Sequence, residues 1–278
     1  MWQRQSVPVG SALHLAVFTT GRTDPSAPTV LLVHGLGHWT QAAWDYVAAQ
    51  LAPTHRIVAF DLPGFGDSSR SNVAYSLPFF TTTLHHLIDR LALDRFALVG
   101  HSLGGLIAAS YAAAHPQAVR LLALIGPAGF SRTPKLGLKI AGGRPVAWLF
   151  GKVRPTRGFV RRTFASAVFD PATIPPDYHE RAFALSRDGT LTRAFASVYA
   201  NSLRTFVAVD ALRTRLAAYS GPVLLVWGRN DNFVPIAGLA HARRVYPYAA
   251  VLEIDACGHC PNMEFPELVA TRLIASGA

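Results

Sequence analysis

Short apolar runs alternate along this chain with longer stretches in which apolar residues recur at helical spacing. The runs at 13–18, 30–33, 56–60, 95–99, 121–125, 222–227 and 251–254 are too short for helices and almost uninterrupted, as strands buried on both faces are. Between them, helical periodicity predicts helices at 41–51, 77–91, 106–114, 237–245 and 266–275. Strands separated by helices imply a mostly parallel sheet covered on both faces, an α/β class fold.

The alternation breaks once. Between the runs at 121–125 and 222–227 the pattern is helical throughout, with helices expected at 134–153, 157–169, 176–187 and 191–203. Pro155, Pro171, Pro175 and Asp188-Gly189 punctuate this stretch. It reads as an inserted helical lid, residues 131–206, on a core made of residues 1–130 and 207–278. Its aromatic residues, Trp148 among them, are expected mainly to pack the lid on the core, with a minority lining an apolar pocket.

Composition changes this picture little. Half of the 278 residues are hydrophobic, enough for a large core, and no run reaches the length of a membrane span. The segment Met1–Gln5 lacks the apolar centre of a signal peptide, so the expected location is cytoplasmic. Two cysteines make no disulfide framework. The net charge of +10 comes from 23 Arg and 3 Lys against 16 acidic residues, a bias read as general composition rather than as a nucleic-acid surface. Within 131–206, however, 13 Lys and Arg face only 4 Asp and Glu. The simpler reading of that excess is a solvated outer face; the sharper one is weak attraction of anionic substrates or a membrane surface.

The chemistry begins at Gly100-His101-Ser102-Leu103-Gly104-Gly105, between the run at 95–99 and a helical stretch. A serine between glycines at a strand-to-helix turn is the nucleophile elbow, in which the tight turn lifts the hydroxyl above the sheet edge. Such a serine needs a base and the base needs a carboxylate. His259 in Cys257-Gly258-His259-Cys260, after the last strand, supplies the base. Asp231, in the loop after 222–227, supplies the acid, with Asp255 as a rival closer in sequence. An Asx-turn role is the plain alternative for Asp231. Two N–H groups must hold the oxyanion, and Leu103 and Leu36 in the loop His34-Gly35-Leu36-Gly37-His38-Trp39 are the candidates. His38, Trp39, Phe130 and Trp148 are expected to contact substrate. His34 and His101 are expected to orient the loop and the elbow, and His85 and His86 to lie on a helix surface.

With Asp61-Leu62-Pro63-Gly64-Phe65-Gly66-Asp67-Ser68 and Val234-Pro235, these blocks run in family order over the whole chain. The chain resembles the lidded α/β-hydrolases of the serine esterase, haloperoxidase and carbon–carbon hydrolase type. The resemblance implies an α/β-hydrolase sheet with a helical lid, and for 61–68 a structural turn. It implies a carboxylesterase acting on short to medium acyl chains through an acyl-enzyme on Ser102. Carbon–carbon cleavage of a ring-cleavage product, perhydrolase or acyl-transfer chemistry, and a non-catalytic ligand-binding or accessory role are the alternatives. A serine in the elbow, rather than an aspartate, suits attack at a carbonyl. No metal or organic cofactor is expected, and the partners are a small-molecule ester and at most a second copy of the chain. Cys257-Gly258-His259-Cys260 spells a redox motif out of its usual context. An oxidised pair there would brace the histidine loop.

Overall fold

The computed structural model describes residues 2–10, 13–130, 152–175, 177–187, 189–207 and 209–278. Eight strands form one sheet: β1 (Gln3–Val9), β2 (Leu13–Gly21), β3 (Thr29–Val33), β4 (Arg56–Phe60), β5 (Phe96–His101), β6 (Val119–Ile125), β7 (Val223–Gly228) and β8 (Ala250–Ile254). Their spatial order is β1-β2-β4-β3-β5-β6-β7-β8. β2 runs antiparallel to both β1 and β4, and every pair from β4 to β8 is parallel.

The seven expected strands are present, and β1 is an additional one. Its first four residues, Gln3 to Ser6, are exposed, and only Val7 and Val9 turn inward. An edge strand carries no continuous apolar run, which is why the pattern hides it. The central strands β3 and β5 are buried on both faces, as their unbroken apolar sequences require.

Helices α1 (Thr40–Leu51), α2 (Leu77–Arg90) and α3 (Leu103–Ala114) follow β3, β4 and β5. Ser76 caps α2 by accepting from Phe79 N–H, with Pro78 in the first turn. α3 begins three residues earlier than its periodicity predicts, directly after Ser102. Its first turn, Leu103-Gly104-Gly105, holds glycines that helix propensity disfavours and that close packing demands. A Cβ on Gly104 would sit 2.3 Å from the Val33 carbonyl oxygen and 2.5 Å from that of His34.

Between β6 and β7 the described residues form α4 (Arg157–Ala165), α5 (Tyr178–Ser186), α6 (Thr190–Val207) and α7 (Val209–Leu216). The helix expected at 134–153 and Trp148 lie almost wholly or wholly outside the described residues. The helix expected at 157–169 stops at Ala165, and α7 was not anticipated. α8 (Ala237–Val245), α9 (Pro261–Glu264) and α10 (Pro266–Ala275) complete the core.

One large apolar cluster packs α2, α3 and α8 on one sheet face, and a second packs α1 and α10 on the other. A third, with Trp39, Val160, Ile174, Tyr178, Cys260 and Met263, joins α4 and α5 to the sheet edge above β3 and β8. Among the described residues no helix is long and apolar enough to cross a membrane.

Candidate active site

The candidate residues all follow the C-terminal ends of parallel strands, where open α/β sheets present their sites. Ser102 follows β5 and has φ 53° and ψ −116°, backbone space that a non-glycine residue occupies at a cost of about 1–3 kcal/mol. Neighbouring bonds hold it there. Ser102 N–H donates to Ile125 O at 2.9 Å, and Ser102 O accepts from Ala128 N–H at 3.0 Å and Leu106 N–H at 3.2 Å. Gly100 makes the turn sterically possible, since a Cβ there would lie 2.4 Å from Gly104 O.

His259 Nε2 stands 2.9 Å from Ser102 Oγ, and His259 Nδ1 stands 2.7 Å from Asp231 Oδ2. An ionised carboxylate only accepts, so the hydrogen lies on Nδ1 and Nε2 is left to accept from the serine. Asp231 also satisfies the turn reading. Its Oδ1 accepts from Phe233 N–H and Val234 N–H, both at 2.8 Å. The two roles use different oxygens and coexist. The rival Asp255 is 88% exposed in its side chain and pairs with Arg229 at 3.1 Å, away from the histidine. The loops bearing acid and base cross closely, with Asn230 N–H on Cys257 O at 2.9 Å and a Gly228 that tolerates no Cβ against Gly258 O.

Leu103 is the first residue of α3, so its N–H is among those a helix leaves without an intrahelical acceptor. Leu36 sits in the turn closed by His38 N–H to Gly35 O at 3.3 Å. Gly35 approaches the elbow so closely that a Cβ would be 3.1 Å from Ser102 Cβ. Among the described residues neither the Leu36 nor the Leu103 N–H has a protein acceptor. Ser102 stands at the positive end of α3 and close to the Leu36 loop, so both N–H groups are candidates to receive a developing negative charge.

The neighbouring histidines are structural in distinct ways. His34 Nε2 accepts from Leu62 N–H at 2.8 Å, so its Nδ1 donates to Gly35 O at 2.7 Å. His101 Nε2 donates to the main-chain carbonyl of His259 at 2.8 Å. Burial holds His34 and His101 below the ordinary imidazole range, and lowers His38 to about 3. Asp61, in the 61–68 block, accepts from Thr40 N–H at 2.7 Å and Asp67 N–H at 2.8 Å, bracing the start of α1. Burial raises its carboxyl.

The expected substrate contacts divide. His38 lies beside the elbow, its ring 5.4 Å from that of His101, with Tyr178 Oη 3.4 Å from its Nδ1. It packs against Phe164, its ring 6.0 Å away, and Tyr178, in the apolar cluster under α4 and α5. Trp39 is buried under Tyr178, rings 4.7 Å apart, and carries the Arg181 guanidinium on its face. Phe130 is fully buried, 6.3 Å from the Tyr246 ring. Both are tied into the core by large aromatic neighbours. Phe233, stacked on His259 at 5.5 Å and half exposed, went unnoticed in the sequence, where an aromatic beside an Asx turn carries no signal.

Cys257 and Cys260 are free thiols whose side chains enter different apolar clusters, one under β7 and β8 and the other under α4 and α5. No disulfide joins them. Burial pushes both thiols up, which suits inert packing groups. Among the described residues no cluster of His, Cys, Asp and Glu could hold a metal ion.

A family model for the alpha/beta hydrolase fold matches residues 28–266. The chain belongs to the α/β-hydrolase fold family. A hydrolase of 2-hydroxy-6-oxononadienedioate and 2-hydroxy-6-oxononatrienedioate from Pseudomonas putida is 30% identical over 255 residues, covering 87% of this chain and 84% of the relative. The crystal structure of a membrane phospholipase A, described as a bacterial virulence factor, superposes with TM-score 0.81 at 29% identity, over 99% of this chain and 85% of the other. A 2-hydroxy-6-oxo-6-phenylhexa-2,4-dienoate hydrolase from Rhodococcus sp. strain RHA1 shares the fold with TM-score 0.83 at 21% identity, over 99% and 98% of the two chains. α/β-Hydrolases similar to this chain thus span carbon–carbon and ester cleavage.

Proposed function

We propose that this hydrolase cleaves carboxylic esters of short to medium acyl length through an acyl-enzyme on Ser102. The reading is carried by the Ser102–His259–Asp231 alignment, with distances of 2.9 and 2.7 Å and a tautomer that leaves Nε2 free to accept. His259 takes the Ser102 proton as Oγ attacks the ester carbonyl. The N–H groups of Leu36 and Leu103 hold the resulting oxyanion. His259 returns the proton to the departing alkoxide, releasing the alcohol. A water then gives its proton to His259 and attacks the acyl carbonyl. Collapse of this second intermediate releases the acid and reprotonates Ser102. Asp231 stabilises the imidazolium at each stage. In the insertion, α4 and α5 pack over the sheet edge beside His38 and cover the site as a lid.

Carbon–carbon cleavage is the second reading, favoured by the name of the 30% identical Pseudomonas putida relative. Its substrate would carry a carboxylate, and burying an anion calls for a paired cation. A fluorophosphonate probe should label the wild-type protein and not Ser102→Ala. A series of p-nitrophenyl esters of graded length, run beside a 2-hydroxy-6-oxodienoate, then separates the readings. Turnover of the dienoate alone would replace the esterase by the carbon–carbon hydrolase.

A further inference from the structure

The helical insertion and the histidine loop are joined by bonds that the triad chemistry does not use. Just after α4, the Ala167 carbonyl accepts from His259 N–H at 2.6 Å. Glu264, the last residue of α9, accepts from Gly258 N–H through Oε1 at 2.9 Å. Its other oxygen, Oε2, accepts from Phe169 N–H at 2.6 Å, across 95 residues of sequence. One carboxylate therefore spans the insertion and the loop carrying His259. Gly258 lets the two backbones meet, since a Cβ there would lie 2.7 Å from Ala167 O, Val168 C and Phe169 N. Both carboxylate oxygens accept, and both partners donate. A glutamine would satisfy one N–H and turn its own donors toward the other.

We propose that Glu264 is a positioning residue that couples the insertion to His259, so that residues 167–169 must be seated for the imidazole to meet Ser102. The inference rests on the triad reading given above. Its consequence is that the insertion does more than cover the site. Its 167–169 edge forms one wall of the histidine loop, and displacement of that edge moves the base.

The test uses the full chain. Glu264→Gln and Glu264→Ala are expected to lower kcat for a p-nitrophenyl ester by up to about a hundredfold while KM stays within about threefold. Fluorophosphonate labelling of Ser102 should slow in parallel. A folded Glu264→Gln protein with kcat within about twofold of wild type overturns the proposal, as does a loss confined to KM. Amide exchange in the wild-type protein needs no variant. One opening should free both the Phe169 and His259 amides, so their protection factors should agree within about fivefold, and a Phe169 amide protected less than that overturns the coupling. If the wild type neither labels nor turns over esters, the triad reading has failed, while amide exchange still decides whether the segments open together.

Discussion

His101 donates its Nε2 hydrogen to the main-chain carbonyl of His259 at 2.8 Å, so the residue before the candidate nucleophile holds the candidate base in place. The bond joins the end of β5 to the loop after β8, across 158 residues of sequence. Its strength comes from burial, because an unpaired carbonyl here would be left without water.

Replacing His101 by alanine should therefore act on both stability and rate. Loss of the donor leaves the His259 carbonyl unpaired in the interior, a cost of about 1–3 kcal/mol before the cavity is counted. The displaced loop should lower kcat more than it raises KM. Urea denaturation alongside ester kinetics measures both, and a variant of unchanged stability would remove the bracing role.

Asp231→Asn should be far more severe for rate than for stability. The amide oxygen can still accept from Phe233 and Val234 N–H, so the turn survives. The amide nitrogen then faces His259 Nδ1 and favours the tautomer with hydrogen on Nε2, which no longer accepts from Ser102. A fall in kcat of about 10⁴-fold follows from this wrong tautomer. Asp255→Asn should leave kcat within about twofold, since its partner is the exposed Arg229. The reverse ranking of the two variants would move the acid to Asp255.

The candidate triad is legible in sequence because each of its members is announced locally. Ser102 has its glycines, and Asp231 and His259 each stand in a loop just beyond a strand of nearly continuous apolar residues. The Asp61–Ser68 block is read as a turn through the family resemblance; in the structure its residues bond to one another and to Thr40, 21 residues away in sequence. Glu264 is not legible. Its partners are main-chain amides of residues 258 and 169, and an amide has no residue identity to detect. Trp39 misled because proximity to the oxyanion loop in sequence says nothing about Tyr178, which covers it from another helix. β1 was missed because an edge strand needs only Val7 and Val9 to anchor it.

The buried histidines give stability a defined pH dependence. Burial lowers His34, His38 and His101 from 6.5 in the folded chain, His38 to about 3. Below pH 6.5 the unfolded chain takes up protons at these rings and the folded chain does not. Stability is thus complete above that pH and falls as pH drops toward the folded values. A ring that stays neutral in the folded chain across this window, as His38 does, contributes a slope of about 1.4 kcal/mol per pH unit once the unfolded form is fully protonated. His38→Gln should remove one proton from that slope. Urea titrations of wild type and variant between pH 7.5 and 5 test it, and parallel curves would mean that His38 charges in the folded state.

Gly104→Ala tests the elbow by sterics alone. Alanine is the better helix former, so an exposed Gly-to-Ala change inside a helix would stabilise by roughly 0.5–1 kcal/mol. Here the added methyl would lie 2.3 Å from Val33 O and 2.5 Å from His34 O, both backbone atoms that cannot rotate away. The helix start must then retreat from β3, carrying with it the Leu103 N–H and the strained Ser102. The overpacking cost of about 1–3 kcal/mol should outweigh the propensity gain, giving a net loss of stability. Activity should fall further than stability, because the two proposed oxyanion donors lie on the two parts being pushed apart, Leu36 beyond β3 and Leu103 on α3. Denaturation midpoints and kcat of Gly104→Ala measure the two effects, and a stabilised, fully active variant would contradict this placement of the helix start.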